Sequence, residues 1–273
     1  MSILEAVVLG IVQGLTEFLP ISSKTHLIII PALMGWRQPP IPFIALLHAG
    51  TLVAALVYFR HELVESLDGI QRPSPGRKLI GLLIVGTIPA ATIGFIFEKR
   101  ITALFEDPPL AALALVVTGL LLAATETFFR VKKRDESIEE TAFSNVEKMA
   151  HEVSPAKSFF VGVCQTFALL PGISRAGVTI SGGLIAGLSR PQAARFSFML
   201  SLPIIAGTAL AEVPRLSELT IGILPILVGF LASLVAGYAA ISGMIGYLQK
   251  RGLYPFAAYC LVVGPAVSYI LSR

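Results

Sequence analysis

Apolar residues in this chain come in long unbroken runs rather than in stripes. Residues 79–97 (LIGLLIVGTIPAATIGFIF), 219–248 and 252–272 each contain no Asp, Glu, Lys or Arg. As helices at about 1.5 Å per residue, such runs cross a hydrocarbon core of roughly 30 Å. Six full spans are expected: about 41–59, 79–97, 108–129, 191–212, 219–247 and 252–272. Two apolar stretches do not fit as single spans. In 1–36 the run is interrupted by Glu17, Pro20 and the polar residues of SSKTH before LIIIPALMGW resumes. In 157–189, thirteen residues, Ser158 to Leu170, precede Pro171-Gly172, and a helix of that length reaches only about 20 Å. Each reads as a re-entrant helical hairpin: half-helix, break, half-helix. Backbone broken at membrane depth must be buried in protein or line a cavity.

The two hairpins resemble each other. GIVQGLTEFLPISSK (10–24) aligns with GVCQTFALLPGISR (162–175). Gly10 and Gln13 match Gly162 and Gln165. After a one-residue gap, Leu19-Pro20 match Leu170-Pro171, Ser23 matches Ser174, and Lys24 matches Arg175. Three spans follow each hairpin. The expected organisation is therefore a single membrane domain of two repeats, 1–130 and 157–273, joined by a linker over 131–156. The odd number of spans inverts the second repeat, as in many transport folds. The fold class is an all-α polytopic membrane protein.

Composition agrees. The chain of 273 residues is 55% hydrophobic and 14% charged, with mean hydropathy +0.79; soluble domains carry about a quarter charged residues. The short alternating segments of a transmembrane β-barrel are missing from the sequence. MSILEAVVLG has no basic region and carries Glu5, so it does not read as a cleavable signal. Cys164 and Cys260 have no metal-ligand spacing. The net charge of +4 reports loop topology and not a nucleic-acid partner. Arg60, Arg72, Arg77 and Lys78, the linker-region Arg130, Lys132, Lys133, Arg134, Lys148 and Lys157, and Lys250 and Arg251 fall on one side. Arg37, Lys99, Arg100, Arg215 and Arg273 fall on the other. The positive-inside rule puts the linker in the cytoplasm and both termini outside.

Within the apolar stretches stand Glu17, Lys24, His26, His48, Arg175 and Arg195. Ionisable groups at membrane depth are costly and are functional candidates by default. Snorkelling to the interface also fits Lys24 and Arg195, and a packing role also fits His48. Arg175 lies past a helix break between Gly172 and Gly177. Its planar fork suits phosphate oxygens, and Ser174, Thr179 and a half-helix N-terminus would add donors. Ser22 and Ser174 equally suit N-capping. Gln13 and Glu17 are four apart and share a helical face; Ser23 and His26 are three apart. A serine beside a histidine is the minimum for nucleophilic attack with base assistance, and a nearby carboxylate can orient the histidine or bind a metal.

At these residues the chain resembles the undecaprenyl-diphosphate phosphatases of the bacitracin-resistance type. Their first motif, a Glu/Gln-x-x-x-Glu box running into Leu-Pro-x-Ser-Ser-x-x-His, is matched by Q13-GLT-E17 and LPISSKTH; their second, Pro-Gly-x-Ser-Arg-x-Gly-x-Thr, by PGISRAGVT at 171–179. The resemblance covers nearly the full chain. It implies hydrolysis of undecaprenyl diphosphate to the monophosphate and phosphate in the bacterial inner membrane, at a site opening to the extracytoplasmic side. The reaction regenerates the lipid carrier for cell-wall precursors. It also implies a divalent cation, Mg²⁺ or Ca²⁺. Gln13 stands where many members have glutamate, leaving Glu17 the lone acidic ligand candidate. Lys24-Thr25 replaces a common Ser/Thr-Gly pair, and Ala176 a frequent serine. The expected roles are catalysis by Glu17, Ser23, His26 and Arg175, with Gln13, Ser22, Lys24, Ser174 and Thr179 binding substrate. In this scheme Ser23 attacks, or positions a water, and His26 handles the proton. Glu17 orients His26 or holds the metal. A lipid flippase or other carrier on the same fold is the alternative, and a homodimer is left open.

Overall fold

A computed structural model describes the backbone of residues 1–102, 107–132, 144–170 and 172–273, with side chains throughout except at 98–102 and 130–132. Pro171 and the side chains of Lys99, Arg100, Arg130, Lys132, Lys133 and Arg134 therefore lie outside the described residues. All described regular structure is helical. The elements in chain order are α1 (Ile3–Phe18), α2 (Ser23–Met34), α3 (Ile41–Tyr58), α4 (Arg60–Asp68), α5 (Pro75–Thr102), α6 (Pro108–Leu113), α7 (Leu115–Lys132), α8 (Asn145–Glu152), α9 (Pro155–Thr166), α10 (Arg175–Ile185), α11 (Arg190–Glu212), α12 (Ile223–Lys250) and α13 (Tyr254–Leu271).

Six helical stretches among the described residues are long and apolar enough to cross a membrane: Ile41–Tyr58, Pro75–Phe97, Pro108–Phe129, Arg190–Glu218, Ile223–Lys250 and Tyr254–Leu271. These coincide with the expected spans, with local differences. Leu219 is extended and Gly222 caps α12, so the fifth span starts at Ile223. The third is interrupted at Ala114, between α6 and α7. Two short helices, α4 and α8, add amphipathic turns at the linker side; Asn145 of α8 reaches Glu62 of α4.

Both interrupted stretches are helix–break–helix. A capping box between Ser2 and Glu5 starts α1, which stops at Phe18. Pro20 follows two residues later and lacks the N–H that a further turn requires. Four residues turn the chain before α2. In the second stretch, α9 passes through a short 3₁₀ turn over Phe167–Leu169 before the break that precedes α10.

Small residues let these half-helices seat deeply. Gly10 of α1 lies so close to the backbone of Gly229 on α12 that a Cβ there would collide with its carbonyl, and Gly162 of α9 makes the same approach to Gly86 on α5. Packing through small residues is how helices associate where lipid removes the hydrophobic drive. Along α11, Phe196, Phe198, Met199 and Leu200 are buried, with Phe18 of α1 edge-on to Phe198 at 5.3 Å. Two ion pairs anchor the start of α11. Arg190 pairs with the fully buried Glu126 of α7 through two bonds of 2.7 and 2.8 Å, and Glu126 also accepts from Leu253 N at 2.9 Å. Arg195 donates to Glu62 at 2.7 Å. Arg195 is thus held by a carboxylate, and snorkelling does not describe it.

Candidate active site

The breaks of the two interrupted stretches come together around one carboxylate. Glu17, in the last turn of α1, is 7% exposed. A buried carboxylate is tolerated when its oxygens are paired, and these are. Gln13, one turn earlier, donates from Nε2 to Oε2 at 3.0 Å. Ser23, the first residue of α2, donates its hydroxyl to Oε2 at 2.7 Å. Arg175, the first residue of α10, places NH2 3.3 Å from Oε1 and 3.1 Å from the Glu17 carbonyl oxygen. On α3, His48 stands with Nε2 3.6 Å from Oε2, its Nδ1 bonded to Ile44 O at 2.9 Å. Lys24 is exposed at the start of α2 and couples electrostatically to Glu17.

The turn between α1 and α2 explains why Ser23 meets Glu17. Ser22 has φ 70 and ψ 95, in the positive-φ region that side chains disfavour. That kink folds the chain back, so residue 23 bonds to residue 17 across the break. Ser22 occupies the cap position of α2 but makes no capping bond; its hydroxyl pairs with Thr25 at 3.1 Å.

Arg175 is held from below. Its NH1 donates to Ser197 O at 3.1 Å. Thr179, fully buried one turn on, donates to Arg175 O at 2.7 Å and lies 2.6 Å from Ser197 Oγ. Thr179 is therefore a support beneath the arginine. Ser174 caps α10, accepting from Gly177 N at 3.1 Å. Its own N–H goes to Thr118 Oγ1 at 3.0 Å, and Thr118 donates to Gly172 O at 2.7 Å. Ser23 and Arg175, the first residues of α2 and α10, both reach the Glu17 carboxylate from a helix N-terminus.

His26 does not join the carboxylate cluster. Its Nδ1 is 2.8 Å from Ser22 O and its Nε2 is 2.8 Å from the hydroxyl of Tyr259 on α13. The expected Ser23–His26 pairing thus gives way to Ser23–Glu17. The side chains that sequence reasoning passed over are Thr118, Ser197 and Tyr259. Thr118 and Tyr259 are polar groups inside apolar spans, a visible signal, but their partners are distant in sequence.

A divalent cation at this site would need several hard oxygen donors. No group of three or more His, Cys, Asp or Glu side chains among the described residues could hold one. Gln13 Oε1, however, is buried and has no partner in the described structure. A buried acceptor oxygen beside a carboxylate suits a hard cation completed by phosphate oxygens, as Mg²⁺ commonly is. The residues fit a cation shared with a phosphate substrate.

Comparison with known proteins places the chain in a family. The family model described as bacitracin resistance protein BacA matches residues 6–266. A protein of Pelobacter propionicus named undecaprenyl-diphosphatase is 37% identical, the alignment covering 99% of this chain and 98% of that one. Proteins with the same name from Geotalea daltonii and Chlorobium chlorochromatii are each 40% identical, covering 97% and 98% of this chain and 96% of their own. A carboxylate gripped by arginine and serine at the meeting of two broken helices, and full-length likeness to such relatives, point one way: the chain belongs to the bacitracin resistance protein BacA family.

Proposed function

We propose that this chain hydrolyses undecaprenyl diphosphate to undecaprenyl phosphate and phosphate, recycling the lipid carrier of cell-wall synthesis in the bacterial inner membrane. The observation that carries the reading is the 2.7 Å bond from the Ser23 hydroxyl to Glu17, whose other oxygen faces Arg175. The named relatives supply the substrate.

The reaction starts with the diphosphate placed against Arg175 and the two helix starts, its polyprenyl tail running sideways into lipid. Ser23 Oγ attacks the terminal phosphorus while Glu17 takes its proton. The bond from that phosphorus to the bridging oxygen breaks, and undecaprenyl phosphate leaves. Water then attacks the phosphoseryl phosphorus as the bond to Ser23 Oγ breaks; Glu17 returns its proton to the serine, and inorganic phosphate leaves carrying the protons of the water. Phosphoryl transfer needs positioning and charge stabilisation above all. Arg175 supplies both, since its guanidinium is fixed by Ser197 O and by the Glu17 backbone. Gln13 and Glu17 would hold a divalent cation, which would draw negative charge from the phosphate oxygens. A carrier needs neither a nucleophile nor a base, and the relatives above bear a hydrolase name.

The same reading takes the chain as two inverted repeats with re-entrant hairpins. It is supported by the matched glycines: Gly10 seats α1 on α12, and Gly162 seats α9 on α5, each on the second long span of the other repeat. The site then lies between the hairpin tips, and an extracytoplasmic opening follows from the resemblance. Phosphate release from undecaprenyl diphosphate by purified protein in detergent, with no gradient present, tests the assignment. No release would reject it.

A further inference from the structure

Tyr259 belongs to α13, far along the chain from the α1–α2 turn, yet its hydroxyl lies 2.8 Å from His26 Nε2. The two rings also stack, with centroids 5.8 Å apart and planes 20° from parallel. A tyrosine near the end of a span ordinarily anchors the helix at the interface. This one is 38% exposed, but its hydroxyl points inward, onto a histidine that is 4% exposed. The other ring nitrogen, Nδ1, is 2.8 Å from Ser22 O, which can only accept. Nδ1 therefore carries the proton, Nε2 accepts, and Tyr259 donates.

These bonds bear on the reacting serine. The carbonyl gripped by His26 is that of Ser22, the positive-φ residue immediately before Ser23. A side-chain residue in that conformation persists only where its surroundings over-determine it. His26 holds the kinked peptide from inside, and Tyr259 holds His26. The ring would otherwise be free to rotate about its side-chain bonds, leaving Ser22 O to the longer bond from the His26 backbone N–H, at 3.3 Å.

We infer that Tyr259 is a positioning residue for the hydrolysis: through His26 it locks the Ser22 turn that presents Ser23 to Glu17. This rests on the phosphatase reading above. His26 thereby acts on the geometry of the nucleophile, and Glu17 takes its proton. The predicted signature is a loss in turnover with little loss in substrate binding, because Tyr259 makes no contact with the Arg175 grip.

The test uses the full-length purified protein, undecaprenyl diphosphate, and the variants Tyr259→Phe, His26→Ala and the double variant. Phenylalanine keeps the ring and its stacking and removes the hydroxyl alone. For Tyr259→Phe, kcat falls roughly tenfold while KM stays within about twofold, the effect of one well-formed hydrogen bond acting on the reacting geometry. The melting temperature is unchanged. In the His26→Ala background the same substitution causes no further loss, because the residue it acts through is gone. Wild-type kcat in Tyr259→Phe overturns the inference, as does an equal fall in both backgrounds. A lowered melting temperature with kcat and KM both damaged makes Tyr259 a packing residue and overturns it too. If wild-type protein releases no phosphate, the phosphatase reading fails separately. The bond itself is then read from ¹⁵N spectra of histidine-labelled protein, where Tyr259→Phe must shift the His26 Nε2 signal; an unshifted signal rejects the contact.

Discussion

Arg175→Ala separates what the guanidinium does for stability from what it does for chemistry. Removing it leaves Glu17, 7% exposed, without the cation at Oε1. Stripping one partner from a buried ion pair costs about 3–5 kcal/mol. The loss also frees Ser197 O and Glu17 O, which the guanidinium now serves at 3.1 Å each; each charge-assisted bond to a carbonyl is worth about 1.5–3 kcal/mol. Not all of this is additive, because His48 and Lys24 remain near the carboxylate. A net destabilisation of about 3 kcal/mol is expected. Pairing the change with Glu17→Gln removes the orphaned charge and recovers most of that stability. Activity does not return, because both the phosphate grip and the base are missing. The assay is phosphate release from undecaprenyl diphosphate, run beside denaturant unfolding for the two single variants and the double. A double variant as active as wild type, or an unchanged kcat/KM in Arg175→Ala alone, would remove Arg175 from the phosphate grip. Arg175→Lys falls between. One ammonium cannot reach Ser197 O and Glu17 together as the fork does, so kcat/KM drops by roughly tenfold to a hundredfold.

Four further outcomes follow from the same contacts. Glu126→Ala leaves Arg190 and Leu253 N–H without their acceptor in a fully buried place; it destabilises by about 3–5 kcal/mol with KM retained in the folded fraction, and wild-type unfolding would contradict this. Gly162→Leu drives a side chain into the Gly86 backbone and costs about 1–3 kcal/mol or more, read as a lowered melting temperature; an unchanged value would show that α5 and α9 are not in that contact. A chelator abolishes phosphate release and Mg²⁺ or Ca²⁺ restores it. Gln13→Ala, which removes the unpartnered Oε1, raises the cation concentration needed for half-maximal rate, and an identical metal dependence would remove Gln13 from the cation site.

The spans were legible because lipid demands continuous apolar helices of fixed minimum length, a one-dimensional signal. The breaks were legible for the same reason in reverse, since Pro20 and the short run before Gly172 cannot make a span. Gln13 and Glu17 were legible as neighbours through helical spacing, and their bond is present at 3.0 Å. The Ser23–His26 pairing was drawn from the same spacing, and there it misled. Both residues sit in the first turn of α2, but the positive φ of Ser22 turns Ser23 back across the break. No periodicity encodes that. Glu126 and Glu62 show another limit. Glu126 stands near the end of an apolar span and Glu62 in the short polar helix α4, both visible in the sequence, yet their partners Arg190 and Arg195 lie on another helix brought near by the bundle. Tyr259 was hidden likewise, 233 positions from the histidine it holds.

In the proposed reaction Ser23, with Glu17 as its base, forms the covalent bond to phosphorus. Quenching wild-type protein in acid during turnover of undecaprenyl diphosphate labelled in its terminal phosphate tests this most directly. The expected result is label on Ser23, its loss in Ser23→Ala, and a sharply lower level in Glu17→Gln. Full activity in Ser23→Ala would rule Ser23 out as the nucleophile.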